Sequence, residues 1–216
     1  MESRKPRKIN SKWWLIAANL LGLLPLGVLV WAFWVNQLGF NPVETALQRT
    51  GQIAVIFLLL SLAFTPLRRL FKWPILLKFR KIFGLYASLY AFTHFATFAI
   101  WDYGLNLPLI WMEIQEKPFI LLGFAALIIL LVLAATSFRY WQKKLGKGWR
   151  SLHRLVYLAA VLVLVHYFLA VKGDIFSLQG DYGAPLVAGI ILILLFLLRF
   201  PFIYRPLQRL INRKGA

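Results

Sequence analysis

The chain has 216 residues, of which 61% are hydrophobic and 15% charged, with a mean hydropathy of +0.71 and a formal net charge of +18. These values exclude a soluble domain, where roughly a quarter of residues are charged and such an apolar surface would not stay monomeric. The sequence has no cysteine, so disulfides, thiolate metal sites, iron–sulfur clusters and C-x-x-C-H haem attachment are all excluded. Met1 is the start and Met112 falls in a connecting segment, which leaves His94, His153 and His166 to hold any cofactor iron.

At roughly 20 apolar residues per bilayer crossing, the apolar runs predict six spans, at residues 13–35, 48–64, 82–101, 118–138, 153–171 and 184–204. The first follows a basic start (Arg4, Lys5, Arg7, Lys8, Lys12) and is as long as a true span with no A-x-A site after it, so no cleaved signal peptide is expected. The second is short and is expected to stop at Pro66. Pro42, Pro74, Pro108, Pro118 and Pro206 mark other boundaries, and Trp13, Trp14, Trp101, Trp111, Trp141 and Trp149 sit near span ends as interfacial belts do. No internal repeat or flexible linker is apparent. The expected fold is all-α: one six-transmembrane-helix bundle over residues 13–204, between basic segments 1–12 and 205–216.

The charges sort by connection. The N-terminus, the second and fourth connections and the C-terminal end together carry +21, whereas the opposite side, with Glu44, Asp102, Glu113, Glu116, Asp174 and Asp181, carries −3. The positive-inside rule then puts both termini and the basic connections in the cytoplasm. The basic excess is accounted for by topology and calls for no nucleic acid.

A buried ionisable group in a membrane is a functional candidate by default. His94 lies 14 residues outward from Arg80, about 21 Å along a helix, and His166 lies 16 residues from Arg150, about 24 Å. The two imidazoles thus reach nearly one level on two helices, which suits bis-histidine ligation of a b-type haem. The alternative is two unrelated packing histidines. His153 lies at the cytoplasmic edge, 13 residues before His166, and on an ideal helix the two rings would be about 140° apart. Either it ligates a second haem with an unusual partner, or it is a polar residue near a cofactor or proton path. Arg80, at the matching depth on the third span, suits a propionate or phosphate instead.

Arg80-Lys81-Ile82-Phe83-Gly84-Leu85-Tyr86 followed by His94 resembles the third-helix pattern of the MsrQ (YedZ) family. Thr136-Ser137 and the stretch from Gly148-Trp149-Arg150 through His153-Arg154-Leu155-Val156-Tyr157 to His166-Tyr167 resemble its W-x-x-L-H-R-L-x-Y…H-Y signature. That family belongs to the ferric reductase-like transmembrane group, whose larger members share the paired-histidine spacing. The resemblance implies a b-haem subunit of the bacterial inner membrane. It would pass electrons from the quinol pool or a cytosolic flavin reductase to a periplasmic MsrP-like molybdopterin subunit that repairs methionine sulfoxide. It also implies an associated FMN, whose phosphate Arg80, Arg150 and Arg154 would attract. Tyr90, Phe92, Phe95, Phe98, Tyr157, Tyr167 and Phe168 are expected to line the cofactor pocket. The competing readings are a haem anchor for another periplasmic oxidoreductase, a reductase whose flavin and nicotinamide domain is a separate chain, and a small transporter without cofactor.

Overall fold

The computed structural model describes residues 11–171 and 180–213, with side chains described for 12–171 and 180–209. Most of the expected N-terminal basic segment, Lys172, Asp174 and residues 214–216 lie outside these residues. Within them the ordered structure is entirely helical.

Helix α1 (Ser11–Trp34) carries Pro25 in its interior, where a missing N–H and the ring's bulk disturb the ladder. Tyr90 enters the adjoining turn. Its hydroxyl donates to the Gly22 carbonyl at 2.9 Å and accepts from the Leu26 amide at 2.8 Å, so it sits between two groups that an unbroken helix would pair directly. Tyr86 packs its ring against Gly22, where any side chain would collide with it, and bonds to Asn19. Two tyrosines therefore fasten α1 to the next-but-one helix.

Helix α2 (Pro42–Phe71) starts under an Asn41 cap that accepts from the Glu44 amide, with Pro42 in the first turn. It does not stop at Pro66, as the sequence suggests, but continues to Phe71. Pro66 is fully buried and has no N–H for the Leu62 carbonyl one turn earlier. Arg199 Nη2 donates to that carbonyl instead, at 3.1 Å, which removes the cost of an orphaned acceptor.

Helix α3 (Leu76–Thr97) returns against α2 and ends in a π-helical turn, Phe98–Asp102. Small residues allow the close approach: Ser61 donates to the Arg80 carbonyl, and a Cβ on Gly84 would lie 3.2 Å from the Ser61 hydroxyl. Helix α4 (Leu107–Glu116) is too short to cross a bilayer. It turns Ile110 and Ile114 onto Ala99 and leaves Leu107 and Trp111 exposed, as a helix lying along the membrane surface would.

Helix α5 (Pro118–Ala135) and helix α8 (Leu155–Ala170) form a second antiparallel hairpin, joined through the short helices α6 (Arg139–Leu145) and α7 (Lys147–Leu152). Ser88 on α3 donates to the Leu130 carbonyl on α5, tying the hairpins together over a core of Ala87, Tyr90, Ala159 and Ala160. The fifth expected span, 153–171, falls largely within a longer helical stretch from Lys147 to Ala170, in which the chain turns at His153 and Arg154 between α7 and α8. Helix α9 (Gly183–Leu197) is followed by an 83° bend into helix α10 (Pro201–Arg213). The sixth apolar run is therefore not one straight helix to residue 204. Phe200, preceding Pro201, is held out of helical geometry, and the proline opens a new helix.

Five helical stretches are long and apolar enough to span a membrane, and α9 with α10 makes a sixth if the bent pair is one span. Their outward faces carry exposed Leu, Ile, Val and Trp side chains, which marks a multi-pass membrane protein. Every carboxylate among the described residues (Glu44, Asp102, Glu113, Glu116, Asp181) lies at the end of the bundle where α2, α5 and α9 begin. We call this the acidic end, and the other the basic end.

Replacing Tyr90 with Phe removes the hydroxyl from the α1 turn while keeping the ring. The variant is expected to lose roughly 1–2 kcal/mol of stability, measured as a lower thermal midpoint of the detergent-solubilised chain.

Candidate functional site

An imidazole in an apolar bundle needs a partner for its N–H, and most helix carbonyls are already bonded and covered by side chains. His94, near the end of α3, meets this need on α2: its Nδ1 is 2.9 Å from the Leu47 carbonyl oxygen. The residue one turn on is Gly51, and a Cβ there would lie 3.1 Å from Nδ1. His166, near the end of α8, does the same on α5, with Nδ1 2.7 Å from the Phe119 carbonyl. Gly123 is one turn on, and a Cβ there would lie 2.8 Å from Nδ1.

In both cases the histidine follows its carbonyl by 47 residues. One sequence offset also relates Leu47 to Phe119, Gly51 to Gly123 and His94 to His166. The site is thus built from two copies of one hairpin device, a repeat not apparent from the sequence, because only the glycine, the histidine and a side-chain-independent carbonyl recur.

A carbonyl only accepts, so each Nδ1 carries the proton and each Nε2 keeps its lone pair free. The two rings are 6.2 Å apart between centroids and meet edge to face at 79°. The level estimated by counting residues from Arg80 and Arg150 therefore corresponds to real proximity. Phe119 also stacks its ring on His166, 6.1 Å away at 27°.

The aromatics singled out in the sequence distribute differently from expectation. Phe92 is 50% exposed on the outside of the bundle, and Tyr90 is committed to α1. Phe95 and Phe98 join Phe124 and Tyr103 in a cluster towards α4. Tyr157 lies under Arg199, and Phe168 lies close to Gly189. Tyr167 bonds to Gln52, one residue after Gly51. The ring on His166, Phe119, was not among them.

His153 stands apart from the pair. It lies in the turn before α8, so the ideal-helix phase between it and His166 does not apply. Its ring stacks on Trp149 at 4.1 Å, and its Nε2 is 3.2 Å from Thr136 Oγ1. Trp149 Nε1 donates to the Thr136 carbonyl at 2.9 Å, so this tryptophan belongs to the turn as well as to the belt. Arg80 is half-buried and close enough for its charge to act on His153, whereas Arg150 and Arg154 are exposed. Among the described residues no group of three or more His, Cys, Asp or Glu side chains converges as a metal site.

A multi-pass bundle in which two helix hairpins each present one histidine to a common point is the architecture of a helical membrane domain built around an imidazole pair. The family model described as ferric reductase like transmembrane component matches residues 50–164, more than half of the chain, and the chain belongs to that family. The match covers Gly51, His94, Gly123 and His153 and stops just before His166. Membership gives the chain a role in membrane electron transfer.

Alanine at Gly123 places a methyl group inside contact distance of His166, whereas Gly51→Ala crowds His94 less. Gly123→Ala is expected to cost roughly 1–3 kcal/mol and Gly51→Ala less, seen as ordered losses of thermal midpoint.

Proposed function

We propose that His94 and His166 ligate the iron of one b-type haem through their Nε2 atoms, and that the chain is the membrane electron-transfer subunit of an MsrQ-type system. The 6.2 Å between ring centroids carries this reading. At that separation the two Nε2 atoms would be able to hold one metal ion between them at ordinary metal–imidazole bond lengths of about 2 Å. Two neutral nitrogen donors without a carboxylate would suit a haem iron, which needs no further protein ligand.

When bound, the haem supplies a one-electron redox couple. The chain's own residues hold and tune the ligands. Leu47 and Phe119 carbonyls take the Nδ1 protons, fix the tautomer and raise the basicity of Nε2. Gly51 and Gly123 clear the way for each ring, and Phe119 restrains the His166 plane. The apolar core around the hairpins would keep water from the bound group and so tune its potential.

All four supporting positions lie near the acidic end: Leu47 and Phe119 at the starts of their helices, His94 and His166 near the ends of theirs. With the basic end cytoplasmic, as the charge sorting implies, the pair lies towards the periplasm of the inner membrane. Electrons from the quinol pool or a cytosolic flavin reductase then leave across the face bearing Asp102, Glu113, Glu116 and Asp181 to a periplasmic MsrP-like molybdopterin subunit. FMN belongs to the basic end in this reading, where Arg80 is the best placed of the three candidate arginines. His153, bonded to Thr136, is a polar residue beside that end; to ligate a second haem it would have to leave Thr136.

A visible spectrum of the purified chain tests this. Dithionite is expected to produce a sharp b-type alpha band that His94→Ala and His166→Ala abolish and His153→Ala retains. A folded preparation without haem contradicts the reading, and loss of all haem in His153→Ala contradicts the pairing.

A further inference from the structure

In helix α10 the charged and apolar side chains separate onto opposite flanks. At about 100° per residue, Tyr204 and Gln208 share one face. That face is fixed against the end of α2: the Arg69 guanidinium lies 5.4 Å over the Tyr204 ring, and Gln208 Nε2 donates to the Arg69 carbonyl at 2.8 Å. With the roll of the helix set in this way, Arg205 and Arg209 project roughly 100° to one side of the contact, and Ile203 and Leu207 roughly 100° to the other. Both arginines are exposed, and α10 carries no acid. With Pro201, Phe202 and Pro206 they line an open cleft of about 440 Å³, in which Phe202 is 72% exposed.

A helix divided in this way suits a boundary with hydrocarbon on one side and negative charge on the other. An acidic soluble protein would satisfy the arginine flank alone, and a second bundle the apolar flank alone. The chain supplies no anion either, since every described carboxylate lies at the other end of the bundle. Just beyond Arg69, at the same end of α2, Phe71 and Trp73 are exposed, as aromatic side chains at headgroup level are.

From this division we infer that α10 lies in the membrane interface, and that Arg205 and Arg209 bind the phosphodiester headgroups of anionic phospholipids while Ile203 and Leu207 turn towards the acyl chains. The 83° bend is then where the chain leaves the bilayer core and runs along its surface, since an arginine at every fourth residue keeps α10 out of hydrocarbon. Two guanidinium groups one turn apart present planar donors to phosphate oxygens, and Phe202 with the two prolines gives the cleft an apolar wall for the glycerol end of the lipid. The inference uses neither histidine of the haem pair and none of the arginines assigned to FMN, so it stands or falls independently of both.

The chain has no cysteine, so Leu207→Cys gives a single site for a bimane label in the full-length protein. The labelled protein is placed in phosphatidylcholine nanodiscs containing increasing fractions of phosphatidylglycerol or phosphatidylcholine that carries a doxyl quencher near the headgroup end of its acyl chain. Doxyl-phosphatidylglycerol is expected to quench the bimane at roughly a tenth of the mole fraction that doxyl-phosphatidylcholine requires. Adding Arg205→Gln or Arg209→Gln should leave a preference of roughly threefold, and adding both should abolish it. The control pair Arg139→Gln with Lys143→Gln removes two exposed charges one turn apart on α6, at the same end, and should leave the preference intact. A label at Phe202→Cys, on the arginine flank, should show the same preference with weaker quenching, and it decides the matter if Leu207→Cys does not fold. Absence of quenching by either lipid, as when a protein partner or a second copy covers α10, overturns the inference. So do equal quenching by the two lipids, a preference unchanged in the Arg205 and Arg209 variants, and stronger quenching at Phe202 than at Leu207.

Discussion

Everything at the site follows from one requirement: an imidazole N–H inside an apolar bundle must be given a carbonyl. Leaving the group unpaired costs on the order of 1–3 kcal/mol, and the nearest acceptors are backbone oxygens of a neighbouring helix. Those oxygens are reachable only where the residue one turn on lacks a side chain, which is the role of Gly51 and Gly123. Once Nδ1 is anchored to Leu47 or Phe119, the ring's rotation and tautomer are set together, and the second nitrogen is left with a free lone pair. The hydrogen bond therefore fixes both how closely the helices pack and what the site can bind.

Because the same device occurs in both hairpins, the two rings are brought to one point from opposite pairs of helices. The remaining contacts serve that convergence. Ser88 bonds across from α3 to α5, the alanine-rich core lets the hairpins approach, and Tyr86 and Tyr90 fasten α1 on the outside. At the basic end a comparable complementarity operates between a proline and an arginine. Pro66 releases the Leu62 carbonyl inside α2, and Arg199 from the α9 bend takes it up. This keeps a long helix continuous through a proline and draws a charge into the bundle.

Several of these features are legible in the sequence. Apolar run length located the spans, and the sorting of arginine and lysine by connection separated the two ends, because both depend on residue type alone. Counting residues from Arg80 and Arg150 brought His94 and His166 level, since helical rise is constant. What eluded the sequence depends on partners distant along the chain. Pro66 reads as a helix stop unless Arg199 is known to satisfy the carbonyl it frees. Gly51 and Gly123 read as two ordinary glycines in apolar helices, yet each is a gap shaped for one ring. The bend before Pro201 interrupts an apolar run that hydropathy treats as continuous. Phe119 carries no sequence signal of its role, because its functional atom is a backbone oxygen.

The proposal that His94 and His166 share one iron is tested most directly by electron paramagnetic resonance of the oxidised, purified chain. If one iron is held between imidazoles whose planes are 79° apart, its oxidised form would give one strongly anisotropic low-spin ferric signal, lost when either His94 or His166 is replaced. A high-spin signal, or a low-spin signal that survives replacement of either histidine, would contradict a common iron between the hairpins.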